Sequence, residues 1–276
     1  MFALCAAVAY GVTDFTAGIA SRRLSAGPVT AVLQALGLLT VGVGVLILPG
    51  VGPRVTALGF GALSGVGSTV GSLSLYRGMT TGRMAIVATL SAVLTAVLPV
   101  VFGFVLGEQL ASLAVAGIVI SLPAIALVSW QPRANGLTPT SSGAGYGLLS
   151  GAGFALLFIA LDRAGTRSGA WPLVPGQAVA LLTVLPFARP GTLRRPLVTP
   201  RIAILIVVTG VISAGANLLF LGATGHGELA IVAVLSAMYP AITVVMARLL
   251  LHEKTTRQQS LGLLIAALAV VLVTLG

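Results

Sequence analysis

"AIVATLSA" fills residues 85–92 and "AIVAVLSA" fills residues 230–237, and seven of the eight letters agree. The two octapeptides stand 145 residues apart. The same offset pairs Glu108 with Glu253, Gly117 with Gly262 and Gly82 with Gly227, while an offset of 144 pairs Pro28 with Pro172 and Arg23 with Arg167. One single-residue gap reconciles the two offsets. Apolar stretches match by chance more readily than polar ones, so the charged and proline matches carry the argument. The chain reads as one unit written twice.

The unit is a set of membrane helices. The chain is 57% hydrophobic and 7% charged, with a mean hydropathy of +1.11. A soluble domain carries about 25% charged residues, so this chain cannot cover a globule of its size with polar groups. A helix needs about 20 apolar residues to cross the hydrocarbon core. Such runs fall at 2–20, 28–49, 57–76, 84–106, 111–130, 145–161, 172–188, 202–222, 229–251 and 259–275. In lipid every backbone N–H and C=O must be paired internally, so the runs are helices. The ten-residue alternation of barrel strands is missing. The first run has no basic start and holds Asp14, which reads as a mature span rather than a cleaved signal.

Ten runs divide into two fives. The segment Gln131–Ser142, rich in Pro, Ser, Thr, Asn and Gly, reads as a linker between them. The expected organisation is a first five-helix repeat over 1–130, a linker over 131–143 and a second repeat over 144–276. Five is odd, so the second copy enters the membrane from the opposite side. The expected fold is therefore an all-α integral membrane protein, with ten transmembrane helices as two inverted five-helix repeats. A pseudo-two-fold axis would lie in the membrane plane. Secondary transporters commonly have this build, with the substrate site between the repeats near the midplane.

Fifteen basic residues against five acids give a net charge of +10. They stand singly or in pairs between apolar runs, a pattern of membrane-flanking loops and not of a phosphate-binding face. Lipid is the expected partner, and nucleic acid is not. Odd-numbered loops hold Arg22, Arg23, Arg77, Arg83, Arg133, Arg189, Arg194, Arg195, Arg201, Lys254 and Arg257, whereas even-numbered loops hold Arg54, Arg163 and Arg167. Positive loops stay cytoplasmic, which by itself puts both termini outside. Cys5 is the only cysteine, so there is no intrachain disulfide and no cysteine-based metal site. No metal or cofactor is expected.

Polar residues at membrane depth point to function. Glu108, Asp162, Glu228 and Glu253 stand at run ends, but Asp14 lies eight residues before Arg22, roughly 12 Å from the helix end at 1.5 Å per residue. A charged carboxylate there costs at least a few kcal/mol, and such residues usually face a cavity and carry function. The bland alternative is an Asp paired locally with Thr13 or Thr16. Tyr10, four residues earlier, shares the face of Asp14. Gln34, Gln177, Asn217 and Tyr239 are the other cavity candidates, because each must find a polar partner in lipid. Tyr76 and Arg77 read as the close of the third span. Glu108 and Glu253, at the mouths of short loops, read as caps on the helix that follows each.

Gly61/Gly65, Gly67/Gly71 and Gly143/Gly147/Gly151 repeat at four-residue spacing, which lets helices approach closely in lipid. Pro99 and Pro240 fall inside the fourth and ninth spans and are kink candidates, since each removes one helical hydrogen bond. "GVGSTVG" and "GAGYGLLSG" follow no strand and are not phosphate loops.

The stretches "SAVLTAVLPVVFGFVLGEQLASLAVAGIVISLPAIALV" and "SAMYPAITVVMARLLLHEKTTRQQSLGLLIAALAVVLV" resemble the closing two helices of the EamA-type unit of the drug/metabolite transporter superfamily. The shared marks are a proline-containing helix, a "GE" or "HE" at its end and a glycine-containing last helix. "AYGVTDFTAGIASRRLS" resembles the first helix of one subgroup. The resemblance implies a ten-helix carrier of the inner (plasma) membrane with a central cavity, moving amino acids, metabolites or drugs. In it, the fourth and ninth helices line the cavity together with the first, third, sixth and eighth. It also implies both termini inside, against the charge count. The expected function is a secondary transporter, an exporter of small organic molecules, and not an enzyme, with proton coupling through Asp14 as the plausible drive. The alternatives are an intramembrane enzyme, a channel or a non-transporting accessory protein. His226 and His252 both lie in loops, which speaks against the enzyme. Monomer and homodimer are both compatible with the sequence.

Overall fold

The apolar runs do become helices. The structure, a computed structural model, describes residues 1–21, 26–47, 50–81, 84–130, 143–188, 200–252 and 256–276. Among them are α1 (Phe2–Ser21), α2 (Ala26–Ile47), α3 (Val55–Thr81), α4 (Met84–Val105), α5 (Ser112–Ser129), α6 (Ala144–Ala164), α7 (Leu173–Val184), α8 (Pro200–Thr224), α9 (Leu229–Ser236), α10 (Tyr239–Leu250) and α11 (Arg257–Leu275). No strand forms among the described residues. Eight of the helical stretches are long and apolar enough to cross a membrane, with α9 and α10 counted as one stretch, Leu229–Leu250. Two shorter apolar helices, Phe2–Ala17 and Leu173–Phe187, stand where the first and seventh runs were read. The 131–142 linker, Glu253, Lys254, Gly82 and the basic residues Arg22, Arg23, Arg83, Arg133, Arg189, Arg194 and Arg195 lie outside the described residues.

Three boundaries differ from the sequence reading. α3 continues past Tyr76 and Arg77 to Thr81; the one glycine in "RGMTT", Gly78, weakens a helix without ending it. α7 tightens into a 3₁₀ turn at Leu185–Phe187, where Pro186 cannot continue an α-helix. The ninth run is broken between Ser236 and Tyr239. Pro240 then sits in the first turn of α10, where a missing N–H costs nothing. Pro99 behaves differently: α4 runs unbroken through it, and its ring is fully buried.

Glycines decide how closely the helices approach. A Cβ on Gly61 or Gly65 of α3 would overlap the backbone of α7 at Pro172 and Gly176. Gly67 and Gly71 instead meet α6: a Cβ on Gly67 would stand 2.6 Å from the Gly153 carbonyl oxygen, and one on Gly153 would overlap the Gly71 amide. Gly147 and Gly151 seat α6 on α4 at Leu90 and Leu94. Gly143 does not belong to that ladder; it holds the turn before α6 with φ +71°. Hydroxyls add polar stitches, Ser91 to Ser150 at 2.8 Å and Ser150 to the Gly71 carbonyl at 2.9 Å. Overpacking a tight interface costs about 1–3 kcal/mol. Gly153→Leu is therefore expected to lower the melting temperature of the purified protein by several degrees. Gly145→Leu, at a position where a Cβ would meet nothing within 4 Å, should leave it unchanged.

Contacts between the halves come in matched pairs. α3 packs on α6 as α8 packs on α1, and α3 on α7 as α8 on α2. On α5, Gly117 faces Leu272 and Val273 of α11, while Gly262 on α11 faces Leu127 and Val128 of α5. Each of these residues maps onto its counterpart at the offset of 145. Gly65 and Gly210 are related in the same way, and each abuts the second helix of the other half.

The main buried core gathers Ala3 and Ala6 of α1, Ala96 and Val100 of α4, Phe158 and Leu161 of α6, Phe220 and Leu221 of α8 and most of α9. A smaller cluster holds Val29, Ile202 and Ile206. At the end of the bundle where α2, α4, α6 and α8 finish, Val51 N–H donates to the Arg167 carbonyl at 3.1 Å, tying the second loop to the sixth. Glu108 stands in the loop after α4 at the same end, and it does not cap the helix that follows it. Its carboxylate accepts from the Leu229 and Ala230 amides at 2.8 and 3.0 Å, so it caps α9 instead. The sequence reading missed this because the loop after Glu108 leads to α5 along the chain, but α4 lies beside α9 in space.

Candidate functional site

Two of the polar residues singled out in the sequence, Gln177 and Asn217, line one small cavity, and two more, Tyr10 and Gln34, bond to its lining. Ser64, Gly65 and Ser68 of α3, Leu157 of α6, Leu173, Gly176, Gln177 and Ala180 of α7, and Asn217 of α8 line a small cavity. It has room for about one water molecule. Gln177 is 6% exposed, and its buried Oε1 has no hydrogen-bond partner. Gln34 reaches in from α2, its Nε2 donating to Ser68 Oγ in a long 3.4 Å contact. Asn217, 9% exposed, accepts at Oδ1 from the Tyr10 hydroxyl of α1 at 2.7 Å.

Tyr10 joins this chamber to an aromatic group. Its ring lies 5.8 Å from Phe158 and 6.5 Å, edge-on, from Tyr239, and Phe158 stacks on Phe220 at 4.2 Å. Tyr239 comes from the first turn of α10, directly after the break in the ninth span. Thr243 Oγ1 donates to the Gly11 carbonyl at 3.1 Å and ties that turn to α1. Pro240 itself faces a second, apolar space with Ile125, Val128, Met238 and Ala266.

Asp14 shares the face of Tyr10 one turn further along α1, and its side chain is exposed. The local pairing with threonine does not occur. Thr13 Oγ1 donates to the Ala9 carbonyl, and Thr16 donates to the Val12 carbonyl while accepting from Thr209 at 2.7 Å. Tyr10 thus links the cavity lining, through Asn217, to the helix face that carries Asp14.

The sequence reading did not pick out Ser64 and Ser68, which supply hydroxyls to the chamber, or the Phe158–Phe220 stack. The serines were legible as a pair four apart on a glycine-rich helix; the stack was not, since phenylalanine in an apolar span is ordinary. His226 binds the Gly222 carbonyl beyond the end of α8. Among the described residues, no three His, Cys, Asp or Glu gather as a metal site would require.

These features define a multi-pass membrane protein with a polar chamber at mid-bundle. Residues 141–275, the second half of the chain, match the EamA-like transporter family. No curated protein matches its sequence. Among solved structures, one titled only "Crystal structure of protein" is similar in fold, with a TM-score of 0.67 and 17% identity over 98% of this chain and 96% of that one.

Proposed function

We propose that this chain is a secondary transporter of small organic molecules, working by alternating access and exporting its substrate across the inner (plasma) membrane. The observation that carries the reading is a small polar cavity lined by Gln177 and Asn217, with Tyr10 and Gln34 bonded to its lining and an unmet acceptor on Gln177. Buried polar groups without partners are costly, and a substrate that supplied the missing donor would recover that cost. The match of residues 141–275 to the EamA-like transporter family supports a carrier over an enzyme.

The chain is organised, in this reading, as two inverted five-helix repeats, 1–130 and 144–276, joined by 131–143. Support comes from the matched contacts of Gly117 with Gly262 and of Gly65 with Gly210, and from the exchange of helix partners between halves. Two nearly equivalent packings then exist, one facing each side. Reporter tags at the 131–142 linker and at the C-terminus should lie on opposite membrane faces, because five spans separate them; same-side reporting removes the inverted repeat. The side of the C-terminal tag also chooses between the loop-charge orientation and the family's.

The transport reading is tested by flux into proteoliposomes. Solutes found by a thermal-shift screen of amino acids, nucleosides and cationic drugs should show saturable flux. Non-saturating flux would mark a channel, and no flux with any stabilising solute would overturn the carrier.

A further inference from the structure

We propose that Glu108 is the lock that holds the bundle closed at the end where α4 finishes and α9 begins, and that transport requires its release; this rests on the alternating-access reading. α4 ends in a tight turn in which Gly107 takes φ +88° and the Glu108 amide donates back to the Gly103 carbonyl at 3.0 Å. Only glycine readily adopts that backbone conformation. The turn folds the Glu108 side chain back over the last turn of α4. Gly103 makes the seat, since a Cβ there would overlap the carboxylate.

From this seat the carboxylate takes the first two amides of α9, Leu229 at 2.8 Å and Ala230 at 3.0 Å. The first amides of a helix have no partner inside it, and the residue before α9, Glu228, supplies no side-chain cap. The cap therefore comes from a residue of the other half of the chain. Leu229 and Ala230 are both buried, so the amides have no ready exchange with water. A carboxylate on backbone N–H groups makes bonds roughly twice as strong as neutral ones, and negative charge suits a helix N-terminus. Arg163, Glu108 and Glu228 each lie within electrostatic reach of Asp162. Among these acids, Glu108 holds the α9 amides.

An ordinary cap joins a helix to its own flanking loop and moves with it. This one joins α4 to α9, and most of α9 is buried in the main core. If the halves rock apart there, these two bonds must break; a static cap would never need to.

The test reads access to α9. In a Cys5→Ser background, Ala233→Cys places a thiol on α9 at a fully buried position. In reconstituted vesicles it should resist a membrane-impermeant maleimide. Glu108→Ala should raise its labelling rate from the closed-end side at least tenfold, equivalent to about 1.4 kcal/mol. Gly103→Ala, which displaces the carboxylate without removing it, should do the same. Folded variants that leave the thiol as protected as before would overturn the lock. So would outright unfolding of Glu108→Ala, which would make the residue a structural cap. A second arm keeps the closure itself in view: Glu108→Cys with Ala230→Cys, bridged by a short thiol crosslinker, should abolish flux until the bridge is cleaved. Full flux through the bridged protein would also overturn the lock. Labelling that responds as expected in a protein with no flux for any solute would leave the lock standing and defeat the transporter reading instead.

Discussion

Asn217→Leu is expected to reduce saturable flux by about a hundredfold, the larger part of it by loss of the chamber's polar wall. Leucine keeps the branched shape and the number of heavy atoms and removes both the acceptor for the Tyr10 hydroxyl and the amide donors beside the cavity. A site built to hydrogen-bond its ligand discriminates steeply, because its buried polar groups are left unpaired when one member is missing. The same substitution orphans the Tyr10 hydroxyl, at a cost of about 1–3 kcal/mol in stability. These two effects separate cleanly. Adding Tyr10→Phe removes the orphan, so the double variant should regain most of the lost thermal stability. It should not regain flux, since neither side chain can then address the substrate. Thermal melting and initial uptake rates of both single variants and the double variant decide it. A double variant that recovers transport together with stability would show that the pair only holds α1 against α8.

The helices were legible because the lipid imposes one solution on any long apolar run. Chain spacing also paired Gly117 with Gly262 at an offset of 145, and the residues these two glycines touch stand at that same offset. Tyr10, Gln34, Gln177 and Asn217 were legible for a related reason: a polar side chain in an apolar span is expensive, and the expense marks it. Their meeting place was not legible, because no local pattern says which face of α2 looks at α7. Glu108 shows the limit most clearly. Its helix-capping chemistry was readable from one letter, but its partner Leu229 lies 121 residues away in sequence, and only the packing of α4 beside α9 brings them together. The break before Pro240 was half legible. Proline forecast a disturbance, yet Pro99 in a comparable setting leaves α4 intact.

Asp14→Asn should still insert and fold, yet abolish accumulation against a gradient while downhill exchange persists. The substitution keeps the size of the side chain and most of its hydrogen-bonding capacity, so any change in behaviour traces to the loss of a titrating group. Asp14 is exposed, on the same face of α1 as Tyr10, and neither Thr13 nor Thr16 bonds to it. A carboxyl in that position can take a proton from one side of the membrane, and the Tyr10–Asn217 pair one turn deeper can report its state to the chamber. Competition between the proton and a cationic substrate, or preference of a neutral substrate for one protonation state, would each couple the two flows. Asparagine cannot exchange a proton, so coupling fails although binding does not. The comparison is uphill flux into vesicles under an imposed pH gradient, wild type against Asp14→Asn, with counterflow exchange run in parallel. Equal accumulation by both proteins would make Asp14 an exposed packing residue and end the proton-coupling reading. Loss of both accumulation and exchange would instead place the carboxylate in substrate binding itself.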